Sequence, residues 1–207
     1  MNRVIFLIDG FNLYHALSYK SDYHKYKWLD LRKLASCLVK KTDQVTEIYY
    51  FTAYATWSRD KVNRHKLLTS AYKDLGIKVI TGVFRGKGRK CSICHKTSWT
   101  YEEKRTDVNI AIELFDLAMK DRFDTAIIVS GDSDLIPAIE RVKSNFGEKK
   151  VGLLIPIGRK AKELTKACNF RIKMKQMHLR TCQLDNPYLT KEGKKLIAPA
   201  GWTGSTD

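Results

Sequence analysis

The chain has 207 residues, of which 43% are hydrophobic and 29% charged, enough for one well-buried domain and short for two. No stretch approaches the length of a membrane span, which argues against a spanning helix, and an odd count of five cysteines, with Cys37, Cys168 and Cys182 scattered, argues against a disulfide framework. The formal charge of +16 asks for an anionic partner; positions 149–196 alone hold 13 Lys and Arg against 3 acids, a net of +10.

The first element is the continuously apolar run Val4-Ile5-Phe6-Leu7-Ile8, which reads as a buried parallel strand and stops at Asp9. It starts without a basic leader or apolar signal segment, the pattern expected of an intracellular, cytoplasmic protein. Residues 11–19 and 29–39 have helical spacing, the second entered through Asp30 as a cap. Residues 44–54 read as a strand rich in β-branched and aromatic residues. A helical pattern over 59–75 stops at Gly76, and Ile77 to Ile80 form a third strand. The alternation breaks at 82–101, where Arg85-Gly86-Lys87-Gly88-Arg89-Lys90 and a cysteine pair predict a projecting loop or hairpin. A largely apolar helix over 106–120, a strand over 125–129, a helix over 135–145, a strand over 151–155 and a short basic helix over 159–166 follow. From Asp185 onward Pro, Gly, Ser and Thr predict a mostly irregular segment.

This order predicts an α/β fold with a doubly wound, mostly parallel sheet. Its domain spans 1–175, with residues 83–102 as a basic Cys-containing insertion and 176–207 as a basic, largely irregular tail.

Four aspartates carry the chemistry: Asp9 and the pair Asp132 and Asp134 follow strands, and Asp107 opens the apolar helix. Ligands of open α/β sheets collect beyond the carboxyl ends of central strands, so the acids at the two strand ends should face one crevice. Gathered carboxylates repel one another unless a cation joins them, and Mg²⁺ and Mn²⁺ prefer such oxygen donors. Plainer readings exist. Asn12 and Asp134 are helix-cap types, and Asp107 could simply complement a helix dipole for about 0.3–1 kcal/mol. Ser130 and Gly131 read as a tight strand-to-helix turn, with the Ser130 hydroxyl or a backbone N–H offered to a phosphate. Asp132 is harder to explain as a cap alone, and the five histidines form no paired motif.

Arg85, Lys87, Arg89 and Lys90, with Trp99 and Tyr101 behind them, suit the gripping of an RNA backbone and the stacking of a base. Lys104 and Arg105 precede Asp107, where they could neutralise it or a substrate phosphate; Lys160, Lys162, Lys166, Arg171, Lys173 and Lys175 extend the basic track. Cys91 and Cys94 have zinc-knuckle spacing, but no second pair follows. Structural Zn²⁺ would need ligands from elsewhere, and free reduced thiols are the alternative.

Three stretches resemble the NYN domain group, relatives of the PIN-like nucleases that include LabA-like proteins: Ile8-Asp9-Gly10-Phe11-Asn12, Glu103-Lys104-Arg105-Thr106-Asp107-Val108-Asn109-Ile110-Ala111 and Val129-Ser130-Gly131-Asp132-Ser133-Asp134-Leu135. The resemblance implies a PIN-like fold over about residues 1–175. It also implies a metal-dependent RNase site in which Asp9, Asp107, Asp132 and Asp134 carry Mg²⁺ or Mn²⁺ with Asn12 in support. RNA is then expected before DNA as partner, no membrane is involved, and a homodimer would lengthen the basic groove. The rival reading is an idle RNA-binding or adaptor module of the same fold. A small phosphohydrolase is a third, against which Gly10 and Phe11 stand where an aspartyl-phosphate enzyme would carry Asp-x-Asp.

Overall fold

The computed structural model describes residues 1–90 and 92–203. In chain order it contains β1 (Asn2–Asp9), α1 (Gly10–Ser18), α2 (Leu31–Leu38), β2 (Asp43–Thr52), α3 (Arg59–Asp74) and β3 (Lys78–Thr81), then an antiparallel hairpin of β4 (Val83–Lys90) and β5 (Thr97–Lys104). It continues with α4 (Thr106–Met119), β6 (Thr125–Val129), α5 (Ile136–Asn145), β7 (Lys150–Ile155), α6 (Lys162–Ala167), β8 (Phe170–Lys173) and α7 (Gln176–Thr181). A small ribbon of β9 (Tyr188–Leu189) and β10 (Lys195–Leu196) follows.

Six strands form one parallel sheet in the order β3-β2-β1-β6-β7-β8. Alternation along β1 explains the two layers of helices. Val4, Phe6 and Ile8 point into a core with Leu13, Leu34, Leu68 and Tyr72 of α1–α3, whereas Ile5 and Leu7 pack on Ile110, Leu114, Ile139 and Leu164 of α4–α6. A strand buried on both faces has no polar alternation to show, so β1 and β6 read as unbroken apolar runs. The chain leaves β1 toward β2 on one side and β6 toward β7 on the other. Their neighbouring carboxyl ends therefore form the topological switch point where such sheets open a crevice.

Local signals account for most boundaries. The Asp30 carboxylate accepts from the Arg32 and Lys33 backbone N–H groups at 2.8 and 2.9 Å and starts α2 at Leu31. Gly76 takes a left-handed φ of 76° after α3, the usual glycine role at a helix end. The helix expected over 159–166 lies later, at Lys162–Ala167, because Pro156 and Gly158 hold the chain in a turn first. The segment expected as loop or hairpin is a hairpin of paired strands.

The last quarter closes one face of the sheet. Leu179, Cys182, Leu184, Leu196 and Trp202 are buried in the core that contains Trp28. Backbone bonds stitch the segment to 28–30: Trp28 N–H donates to the Trp202 carbonyl, Asp30 N–H to that of Cys182, and Leu184 N–H to that of Trp28. The Trp28 indole N–H donates to the Asp185 carbonyl at 3.0 Å. Among the described residues no helix is long and apolar enough to cross a membrane.

This packing predicts that Leu179→Ala, which empties a fully buried site, lowers stability by about 2–5 kcal/mol in urea unfolding. A loss within experimental error would show that the C-terminal segment is not part of the cooperative core.

Candidate active site

The crevice at the switch point is organised around Asp9, the last residue of β1. Its side chain is almost fully buried (2% exposed) and caps α1, one oxygen accepting from the Asn12 backbone N–H at 2.9 Å. The other oxygen accepts from the Asn12 side-chain amide at 2.9 Å and from the Ser130 hydroxyl at 2.9 Å. Gly10 is required here, since a Cβ would lie 2.5 Å from the Tyr50 ring and 2.7 Å from the Phe51 carbonyl oxygen.

Asn12 and Ser130 each have a second bond that ties β1 to the loop after β6. Asn12 Oδ1 accepts from Gly131 N–H at 3.2 Å, and Ser130 Oγ accepts from Asp132 N–H at 3.0 Å. Asp132 in turn accepts from Asp134 N–H at 3.0 Å, fixing a short turn before α5. Asp9 is therefore the cap, and Asn12 orients it. Ser130 is fully buried with its hydroxyl donated to Asp9, so it stands behind the carboxylate, out of reach of a phosphate.

Asp107, in the first turn of α4, joins the crevice from the far side. Burial, then repulsion by Asp9, Asp132 and Asp134, pushes its carboxyl up to about 6. Asp9 is likewise raised, chiefly by burial, against the hydrogen bonds from Asn12 and Ser130. A fifth carboxylate, Glu103, was given no role by the sequence reading. In β5 it pairs with Phe84 of β4, and alternation places it on the hairpin face that also carries Trp99 and Tyr101. Burial and the charges of Asp9 and Asp107 raise it to about 7, and one of its oxygens is buried without a hydrogen-bond partner. Its signal was its position four residues before Asp107, hidden in a run of charges.

Among the described residues none of these five carboxylates forms an ion pair. Several mutually repelling oxygens, one of them orphaned, are the donor set a hard divalent cation takes. No three His, Cys, Asp or Glu side chains of the described residues converge closely enough to hold a metal ion, so the set suits the group in chemistry while its side chains stand apart. Drawing them together would need rotation of the exposed Asp134 and half-buried Asp132 and Asp107, the members not locked as Asp9 is.

The basic residues singled out in the sequence lie on the hairpin and around it. Arg85, Lys87 and Arg89 alternate onto the face opposite Trp99, Tyr101 and Glu103, and with Lys90 they are exposed. Lys104 pairs with Glu102 at 3.1 Å. Arg105 caps α4 with a left-handed φ of 79°, a strained conformation for a side-chain-bearing residue. Cys94 is exposed and free, and Cys91 lies outside the described residues.

Residues 3–175 match the model of the NYN domain family. The whole chain is 26% identical to a Pseudomonas putida protein named 6-hydroxy-3-succinoylpyridine 3-monooxygenase HspA, over 99% of this chain and 77% of the relative. The fold is similar to that of a protein of unknown function from Vibrio parahaemolyticus, with TM-score 0.53 and 18% identity, covering 84% of this chain and 93% of the other.

The crowded carboxylates contribute a pH dependence of their own to the stability of the protein. Glu103 and Asp107 titrate near 4 when unfolded and at about 7 and 6 when folded, so the stability gained from their protonated forms is complete below about pH 4. It is lost as pH rises through 6 and 7. In EDTA, Glu103→Gln should therefore melt higher than the wild type above pH 7 and no higher near pH 4. Parallel melting curves across that range would count against the crowding.

Proposed function

The chain belongs to the NYN domain family, whose fold is PIN-like and nuclease-type, and from that premise we propose that it is a metal-dependent ribonuclease hydrolysing RNA phosphodiester bonds. The observation that carries the reading is the set of mutually repelling carboxylates from β1, β5, α4 and the loop after β6, none of them ion-paired among the described residues. A Mg²⁺ or Mn²⁺ ion, when bound, would supply Lewis acidity and charge neutralisation at the scissile phosphate.

The chain's own residues divide the remaining work. Asp9, Asp107, Asp132 and Asp134 would hold the ion, with Glu103 as an additional oxygen donor beside them. The Asn12 amide and the Ser130 hydroxyl keep Asp9 aimed, both donating to the oxygen that the backbone of α1 does not use. Arg85, Lys87, Arg89 and Lys90 would offer an exposed cationic strip to neighbouring phosphates, and the exposed Arg105 immediately precedes the helix that carries Asp107. No nucleophilic side chain is needed, since water attacks phosphorus and the ribose oxygen leaves.

A second reading, a non-catalytic RNA-binding module, is favoured by one observation: the acidic side chains stand apart instead of meeting at coordination distance. The pyridine in the name of the P. putida relative suggests a small heteroaromatic acid instead. The charge of +16 favours a polymer over it, because one small anion needs few cations.

Incubation of labelled single-stranded RNA, hairpin RNA and single-stranded DNA with the protein in Mn²⁺ or Mg²⁺ tests the reading. RNA cleavage is expected, stopped by EDTA and reduced about a hundredfold or more by Asp132→Asn, the scale on which loss of one electrostatic stabiliser acts. Intact RNA in every lane, with RNA still retarded in EDTA, would favour the binding module.

A further inference from the structure

Beside the acidic crevice lies a cavity of about 290 Å³, near the lower limit for small-ligand pockets. It begins at Gly10, immediately after Asp9, and runs along the ends of β1 and β2 to α3 and the base of the hairpin. Its walls are aromatic. Trp57 is stacked on Tyr101 at 3.7 Å and 9° and meets the edge of Phe84 at 4.8 Å, so a rigid ring platform faces the opening. Phe11 and Tyr14 line the other side, and Trp57, Phe11 and Tyr14 remain about 40% exposed. Exposed aromatic faces gathered round one concavity are a binding feature more than a packing one.

The cavity also has polar groups of one sign. Lys61 and Arg64 line it, and the Lys27 ammonium lies 4.8 Å over the ring of Tyr14. Lys27 is only 8% exposed, and burial with the nearby Arg64 lowers its pKa. Among the described residues none of these three cations has an ion-pair partner. A buried lysine without a counter-charge is costly, and an anion restores the balance. His65 is held neutral, its pKa pushed down to about 4 by burial, and its Nε2 lies 3.0 Å from the Thr52 hydroxyl, an uncharged polar anchor at the cavity wall. A bare phosphate would leave the ring platform unused, and an apolar ligand would leave the cations unused. A flat heteroaromatic ring carrying an anion uses both.

We infer that this cavity is a base pocket, which takes one unstacked nucleobase of the RNA strand against Trp57 and Phe84 while Lys27 and Arg64 hold that nucleotide's phosphate. The inference rests on the ribonucleolytic reading above and deepens it. The pocket would register the strand so that an adjoining phosphate falls at Asp9. Base–aromatic stacking tolerates any base, so the pocket selects single-stranded over paired RNA before it selects sequence.

Calorimetric titration in EDTA, where nothing is cleaved, tests this apart from catalysis. At least one of the common nucleoside 5′-monophosphates is expected to bind about five-fold or more tightly than ribose 5-phosphate, the low end for one stacked base. Ala55→Trp, which fills the cavity, should remove that preference. Arg64→Ala, at an exposed position, should weaken both ligands alike and keep it. Short single-stranded RNA should displace the nucleotide. Equal or undetectable binding of nucleotide and ribose phosphate, a preference that survives in a folded Ala55→Trp protein, or RNA that binds without displacing the nucleotide would each overturn the base pocket. Failure of cleavage in Mn²⁺ would instead sink the nuclease reading and leave this titration to stand alone.

Discussion

The buried carboxylate of Asp9 is the constraint around which the rest of this structure is arranged. A charge at the end of a strand enclosed on both faces survives only if hydrogen bonds replace its lost hydration, and here three hydrogen-bonding groups are committed to that end. The Asn12 backbone and amide come from α1, the Ser130 hydroxyl from the end of β6, and both side chains hold the following loop as well. One side chain thus fixes the first helix, the register between two central strands and the course of the loop that carries Asp132. The same bonds stabilise the ionised form that burial and neighbouring acids resist, so the site is held rigidly with its charge unresolved.

The hairpin of β4 and β5 brings the remaining parts together. It departs and returns at one point, where Gly82 lies so close to the Lys104 carbonyl that a Cβ would sit 2.6 Å from its oxygen. The strain accepted at Arg105 turns the returning strand directly into α4 and sets Asp107 against Asp9. Strand alternation then gives the hairpin two unlike faces. One is cationic with Arg85, Lys87 and Arg89; the other directs Phe84, Tyr101 and Glu103 toward the crevice and its aromatic neighbour Trp57.

Much of the sheet was legible in the sequence because buried parallel strands are continuous apolar runs, and 4–8 and 125–129 show this without competing signals. Gly76 and Asp30 marked helix ends through short-range chemistry. The aspartates at strand ends were visible for the same reason, as acid that interrupts an apolar run. Glu103 was not, because its importance depends on which face of a hairpin it occupies, and that follows from pairing with Phe84 nineteen positions away. Ser130 was seen but turned the wrong way: its hydroxyl serves the buried Asp9 across the sheet. The C-terminal segment packs through Leu179, Leu184, Leu196 and Trp202, positions with no common period, so only their shared target at Trp28 reveals them. Trp57 and Trp202, distant in sequence, meet only in the folded cavity.

The two signs of charge in this protein act over different ranges. A net +16 would favour the approach of an anionic polymer from solution, an attraction screened over about 8 Å at physiological salt. At close range the carboxylates reverse that field, and a phosphate approaching Asp9 meets repulsion wherever no cation intervenes. Aromatic stacking next to the crevice would be insensitive to this reversal, since stacking depends on contact and desolvation more than on charge. On the proposed reading, a strand anchored by one base in the cavity, with that nucleotide's phosphate on Lys27 and Arg64, would bring its neighbouring phosphate to a place where that phosphate alone would be repelled. On the proposed reading, a cation held by the carboxylates would meet a substrate already in position, so that affinity and catalysis need not come from the same groups.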